Sequence, residues 1–309
     1  LILIAAVVTG FAVSRFEHLI NPYYYQVLIY IGINIILASS LNLINGFAGQ
    51  FSLGHAGFMA VGAYTSAVVT SQLHFASSSM LNMAAFSLAL LMGGIVAAIF
   101  GLLVGIPSLR LKGDYLAITT LGFGEIIRVI VQNLDFLGGA RGFTGIPKLT
   151  NFVWVFSTVA FVILLVSNLI NSTYGKSFLA VRDDELAAET IGISSTRVKV
   201  IAFVTGAFFA GVAGALYAHF VTYINPAQFS FLKSFEIVVM VIIGGMGSIF
   251  GVILSAILLT ILPEMLRSVA QYRMVVYSLL LIVIMITRPR GLFVRTRTAK
   301  QSVALKTLR

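Results

Sequence analysis

The sequence predicts an all-α integral membrane protein of about ten transmembrane helices, some short or broken, with both termini cytoplasmic. Three observations predict it. Hydrophobic residues make up 59% of the 309 positions and charged residues only 10%. Mean hydropathy is +1.02, too apolar for a chain that must keep a wet surface. The basic residues behind the net charge of +10 sit in short loops and a tail between apolar runs. That is the distribution of a positive-inside membrane protein, so lipid and not nucleic acid is the expected surrounding. The chain has no cysteine, which excludes disulfides and thiolate metal or redox sites.

A helix needs about 20 apolar residues to cross the hydrocarbon core. Apolar runs fall at 1–13, 22–44, 55–71, 83–106, 114–134, 152–170, 200–222, 234–266 and 271–287. The first would extend only ~20 Å as a helix; it reads as a truncated span with the natural N-terminus upstream, since no basic n-region or small-residue cleavage site marks a signal peptide. The run 234–266 is too long for one ordinary span and is interrupted by Gly244, Gly245, Met246, Gly247 and Ser248. Charge parity decides how often it crosses. The loop 171–199 carries Lys176, Arg182, Arg197 and Lys199, and the tail carries Arg288, Arg290, Arg295, Arg297, Lys300, Lys306 and Arg309. Both belong in the cytoplasm, so an even number of crossings separates them, and 234–266 splits at its glycines. The piece 234–245 reaches only ~18 Å and must be buried in protein. The organisation is one membrane domain, 1–287, with a projecting loop 171–199, followed by a basic cytoplasmic tail, 288–309, read as an orientation signal.

Four groups of residues stand out from the apolar background. Gln50, Ser52 and His55 lie in a Gly-rich stretch, 45–57, at the edge of a span. Lipid would not tolerate them, so they face neighbouring helices or a substrate pathway; the alternative is a tight turn in which His55 bonds locally. Gly93, Ala97, Gly101 and Gly105 form one small-residue ladder, and Gly206, Ala210, Gly214 and Ala218 beside Ala207, Gly211 and Ala215 form another. Spacing of four puts each ladder on one helix face, a signature of close helix packing. Glu125 and Arg128 lie one turn apart inside 114–134. Such charges neutralise each other and either line a polar route or lock two helices together; Glu236 and Glu264, nearer span ends, are weaker candidates.

The fourth group is the loop segment 174–193. Asp183, Asp184 and Glu185 cluster at the front of a short helix over about 184–191, where acids oppose the macrodipole, and Gly192 suits its C-terminal cap. Glu185 and Glu189 share one face at i,i+4, a like-charge pairing. An unpaired acidic face between two spans points to a basic partner surface, because acidic faces bind anionic leaflets poorly.

The segment GKSFLAVRDDELAAETIG at 175–192, continuing through AGALYA at 213–218 to INP at 224–226, resembles the branched-chain amino acid ABC permease family, in particular the larger, LivM-type of its two permease subunits. SLGHAGF at 52–58 with GAY at 62–64, LKGDYLAITTL at 111–121, GFTGI at 142–146, GGMGS at 244–248 and RPRGLF at 288–293 are similar to the same family. Val252 stands where that family usually has Pro. The resemblance implies a non-catalytic subunit in the bacterial cytoplasmic (inner) membrane that forms its pore with a second, homologous permease. It further implies two cytoplasmic ATP-binding subunits, which hold ATP and Mg while this chain holds no cofactor or metal, and an extracytoplasmic substrate-binding protein. The coupling helix that docks on the ATPases would be Arg182 to Gly192, carried by Arg182, Asp183, Asp184, Glu185, Ala187, Ala188, Glu189 and Gly192.

Three alternatives stay open on the residues. A urea or amide permease of the same family would be expected to carry a basic residue where Ala187 and Ala188 stand. A self-sufficient secondary transporter usually needs intramembrane carboxylates for coupling ions, and only Glu125 lies deep. A membrane-embedded enzyme lacks a nucleophile or metal cluster to build on. The chain also has no GxxxxGK[ST] phosphate loop, as expected of a subunit driven by separate ATPases.

Overall fold

A computed structural model describes residues 21–72, 79–108, 111, 113–266, 278, 279 and 282. The expected span 1–13, nearly all of 271–287 and the tail 288–309 lie outside the described residues, as does the placement of both termini. Within the described residues every expected span is a helix. In chain order these are α1 (Pro22–Asn42), α2 (His55–Gln72), α3 (Ser79–Ser108), α4 (Asp114–Asn133) and α5 (Phe152–Asn171), then α6 (Thr173–Asp183), α7 (Glu185–Thr190), α8 (Ser195–Val221), α9 (Phe231–Gly244) and α10 (Ile249–Met265). Five stretches are long and apolar enough to cross a membrane: Pro22–Phe47, Asn82–Ser108, Phe152–Asn171, Ser195–Val221 and Pro226–Gly244. α2 and α4 are less apolar, α2 because of its small and polar residues and α4 because it carries Asp114, Glu125 and Arg128. Extended pairing among the described residues is limited to one bridge, Phe143 with Ile224.

Local chemistry sets the helix ends. Asn21 caps α1, its side chain accepting from the Tyr23 N–H, with Pro22 in the first turn where its missing donor costs nothing. α1 does not stop at Asn42 but widens into a π-turn, Leu43–Phe47, closed by the Ala48 N–H on the Leu43 carbonyl. Such turns inside helices concentrate at functional places.

α8 is the centre of the bundle and packs on α1, α2 and α3. The small-residue ladders make this approach possible, as spacing predicts. A Cβ at Gly211 would lie 2.4 Å from the Ala97 Cβ and 2.6 Å from the Gly93 carbonyl oxygen on α3. Without a hydrophobic effect between helices in lipid, this backbone proximity supplies the van der Waals contact that holds them.

The long run 234–266 does break at its glycines. The turn 245–248 uses Gly245 at φ 94° and Gly247 at φ 84°, conformations that glycine adopts without a Cβ penalty. α9 and α10 then pack antiparallel: Gly244 lies against Gly251, and the Ser255 hydroxyl donates to the Met240 carbonyl. α9, only fourteen residues long, buries Ser234, Ile237 to Val241, Ile243 and Gly244, so its short length is covered by protein.

Candidate coupling face and polar cavity

The projecting segment is two helices set at an angle. Asp184 breaks them with extended backbone (φ −155°, ψ 111°) and caps α7, its side chain accepting from the Ala187 N–H at 3.1 Å. Gly192, at φ 86°, ends α7, and the Ile193 N–H returns to the Ala188 carbonyl. The expected helix and its cap are therefore present, preceded by α6, which the composition of 174–183 did not announce.

The acidic face is not unpaired, which corrects the expectation. Glu185 Oε1 accepts from Lys199 Nζ at 2.6 Å, and Glu189 Oε1 accepts from the Ser195 hydroxyl. The cause is the short 191–194 link, which folds the first turns of α8 back alongside α7. Lys199 is sealed there, with its side chain 4% exposed. Two large apolar side chains stand out instead, Leu186 on α7 (70% exposed) and Ile191 just after it (74%), while Ala188 is buried and Ala187 faces out.

Arg182 ties this segment to the membrane bundle. Its Nη1 donates to the Gly46 carbonyl oxygen at 3.1 Å, in the π-turn that ends α1, and its Nε and Nη2 donate to Asp183 Oδ1 at 3.1 and 3.0 Å. Asn42 completes the junction: its Oδ1 accepts from the Gly247 N–H at 2.9 Å. Gly46 is pressed between the two, since a Cβ there would fall 2.3 Å from the Gly247 nitrogen. The α6–α7 segment, the end of α1 and the α9–α10 turn thus meet at one point.

The predicted pathway residues separate into three groups. Ser52 and His55 are fully buried, Ser52 held within its own loop and His55 against α1, with His55 Nδ1 lacking a hydrogen-bond partner among the described residues. The Ser52 backbone exchanges two hydrogen bonds with the Asn45 side chain, and His55 Nε2 sits 2.8 Å from the Ser40 hydroxyl. Gln50 lines a cavity of about 230 Å³ together with Arg182 and Lys199, under the α6–α7 segment. Arg128 Nε bonds Glu125 Oε2 at 2.7 Å, and Glu125 Oε1 accepts the Phe231 N–H at 3.0 Å. The carboxylate therefore sits on the N-terminus of α9, where the helix dipole favours it; the pair locks α4 to α9.

A polar cavity of about 300 Å³ opens elsewhere, among α1, α2, α8, α9 and α10. Lys233 is its one basic group and Glu236 and Glu264 its acidic ones. Lys233 Nζ contacts Glu236 Oε2 at 3.0 Å and Asn34 Oδ1 at 3.3 Å, and Asn34 Nδ2 donates to Thr260 Oγ1 at 2.9 Å. Glu264 accepts from the Tyr23 hydroxyl. Lys233 is inconspicuous in the sequence because a basic residue beside a span start reads as a flanking charge. Glu236 and Glu264 were visible there only as weak candidates. Among the described residues no group of three His, Asp or Glu side chains is placed to hold a metal ion.

Comparison with known proteins gives the family. Residues 23–286 match the family model described as branched-chain amino acid transport system, permease component. The high-affinity branched-chain amino acid transport system permease protein LivM of Salmonella typhimurium is 36% identical over 300 residues, which cover 86% of this chain and 68% of that protein. LivM of Escherichia coli is 37% identical over the same extent. The high-affinity branched-chain amino acid transport system permease protein LivH of Salmonella typhimurium is 25% identical over 290 residues, which cover 86% of this chain and 92% of that protein. No solved structure matches. With the model covering most of the chain and two LivM proteins above one-third identity, the chain belongs to the family of branched-chain amino acid transport system permease components.

Proposed function

We propose that this chain imports branched-chain amino acids as one of two homologous permeases of an ATP-driven transporter in the bacterial inner membrane. It contributes no catalytic group. ATP and Mg belong to two cytoplasmic subunits, and substrate arrives from an extracytoplasmic binding protein. The observation that carries this reading is the α6–α7 segment. Glu185 and Glu189 are engaged by the chain's own α8, Asp183 by Arg182 and Asp184 by the Ala187 N–H, so the segment is braced, while Leu186 and Ile191 stand exposed on it. Large apolar side chains displayed on a braced helix fit a protein cleft better than water. Arg182, Asp183, Asp184, Glu185, Ala187, Ala188, Glu189 and Gly192 shape and brace this docking element. Movement of the ATPases would pass through Arg182 to the π-turn of α1 and through Asn42 to the α9–α10 turn.

Reconstitution tests it. Proteoliposomes holding this chain, its sister permease, both ATPases and the loaded binding protein should accumulate L-leucine, L-isoleucine or L-valine only with internal-facing ATP. Uptake by this chain alone, driven by an ion gradient, would overturn the reading, and ATP-dependent uptake of urea without these amino acids would reassign the substrate.

A further inference from the structure

The cavity around Lys233 has a chemistry of its own. Charged side chains within apolar helices cost at least ~2.5 kcal/mol each when they face lipid, so Lys233, Glu236 and Glu264 mark a surface turned to water or protein. They are also preorganised. The amide of Asn34 is fixed from both ends, its nitrogen on Thr260 and its oxygen on Lys233. The Lys233 ammonium has three donors, of which the structure engages two, with Asn34 and Glu236. Glu264, held by the Tyr23 hydroxyl, retains acceptor capacity for a cation. Ile33, Met59 and Leu259 supply apolar wall. A volume of about 300 Å³ lies at the lower end of the ~300–1,000 Å³ range of small-molecule sites. Asn34 lies twelve positions before Gly46 on α1, ~18 Å of helix rise, so the cavity sits well above the coupling junction.

We propose that this cavity binds a zwitterionic, apolar α-amino acid in transit. Lys233 takes its carboxylate, Glu264 takes its ammonium, and Ile33, Met59 and Leu259 meet its side chain. One cation and two anions leave the lining at a formal charge of −1, which admits a zwitterion and disfavours a simple carboxylate. The inference rests on the amino-acid reading above and adds a site within the membrane domain.

The chain has no cysteine, so a single Thr260→Cys change makes the cavity addressable. The assembled complex, with cysteine-free partners and without the binding protein, is placed in nanodiscs and labelled with a small water-soluble methanethiosulfonate. L-leucine should slow labelling severalfold. L-leucinamide, which lacks the carboxylate, and 4-methylpentanoate, which lacks the ammonium, should not at equal concentration. Lys233→Gln should raise the leucine concentration for half-protection by about tenfold or more, the loss of one hydrogen bond to a charged group; Lys233→Arg should restore part of it. If Thr260→Cys prevents assembly, Tyr30→Cys takes its place. Equal protection by all three compounds, no protection by leucine, or no labelling while Leu186→Cys is labelled would each overturn the site. Uptake of L-leucine by the same complex with its binding protein is scored separately. Uptake without protection removes the site alone, and protection without uptake removes the transport reading alone.

Discussion

Arg182 Nη1 donates to the Gly46 carbonyl oxygen across 136 positions of sequence, at 3.1 Å. That bond joins the end of α6 to the π-turn where α1 widens, and Asn42 in the last turn of α1 holds the Gly247 N–H of the α9–α10 turn. The same segments share an apolar cluster in which Leu43 and Phe47 pack with Phe178, Val181 and Ala188, so on the proposed reading polar and apolar contacts together would deliver a displacement of the α6–α7 segment to two membrane helices.

Arg182→Gln removes a charge-assisted hydrogen bond worth ~1.5–3 kcal/mol at this junction. The variant should still bind the ATPases, because Leu186 and Ile191 are untouched, but take up less substrate per ATP hydrolysed. Lysine should not rescue it, since a single ammonium cannot span Gly46 and Asp183 as the guanidinium fork does. Parallel measurement of hydrolysis and uptake in proteoliposomes checks this.

The Glu185–Lys199 pair gives a second expectation. Glu185→Gln strands a lysine whose side chain is 4% exposed. Because Glu185 itself is 23% exposed, the loss should be about 1–3 kcal/mol, below the ~3–5 kcal/mol of a fully buried pair. The melting temperature of the detergent-solubilised complex should fall, and Glu185→Gln with Lys199→Met together should recover part of it. Glu185→Lys, which sets two cations face to face, should be worse than Glu185→Gln.

Helix packing supplies a third. Gly211→Val cannot be accommodated against Gly93 and Ala97 and should abolish accumulation of the protein in the membrane. Gly122→Ala, with nothing within 4 Å of the added Cβ, should leave membrane levels unchanged or raised. Immunoblots of membrane fractions read both.

Much of this was legible in sequence, and the reason is physical. Lipid forces long apolar runs, so the positions of α1 to α5 and α8 follow from hydropathy. The break at Gly244 to Ser248 follows from charge parity, and α7 follows from its acidic start and Gly192. Contacts between distant segments were not legible. The unpaired reading of Glu185 and Glu189 failed because fourteen residues of sequence do not reveal that α8 folds back to present Lys199. The Lys233 cavity is assembled from α1, α2, α8, α9 and α10, whose polar residues look unremarkable one by one. Ser52 drew attention because it is polar in a greasy chain, yet the Asn45 side chain satisfies its backbone; His55 reaches Ser40 on α1 through Nε2 and keeps a buried Nδ1 without a partner among the described residues.

The central claim is that α7 is the element through which ATPase subunits drive this chain. Its most direct test is a photo-crosslinker attached at Leu186→Cys, the sole cysteine of the variant chain, followed by illumination of the assembled transporter. The prediction is a covalent adduct with an ATP-binding subunit that forms in high yield and disappears with Leu186→Asp carrying the same probe at an α4 position. Efficient ATP-dependent uptake with no adduct between position 186 and either ATP-binding subunit would contradict it.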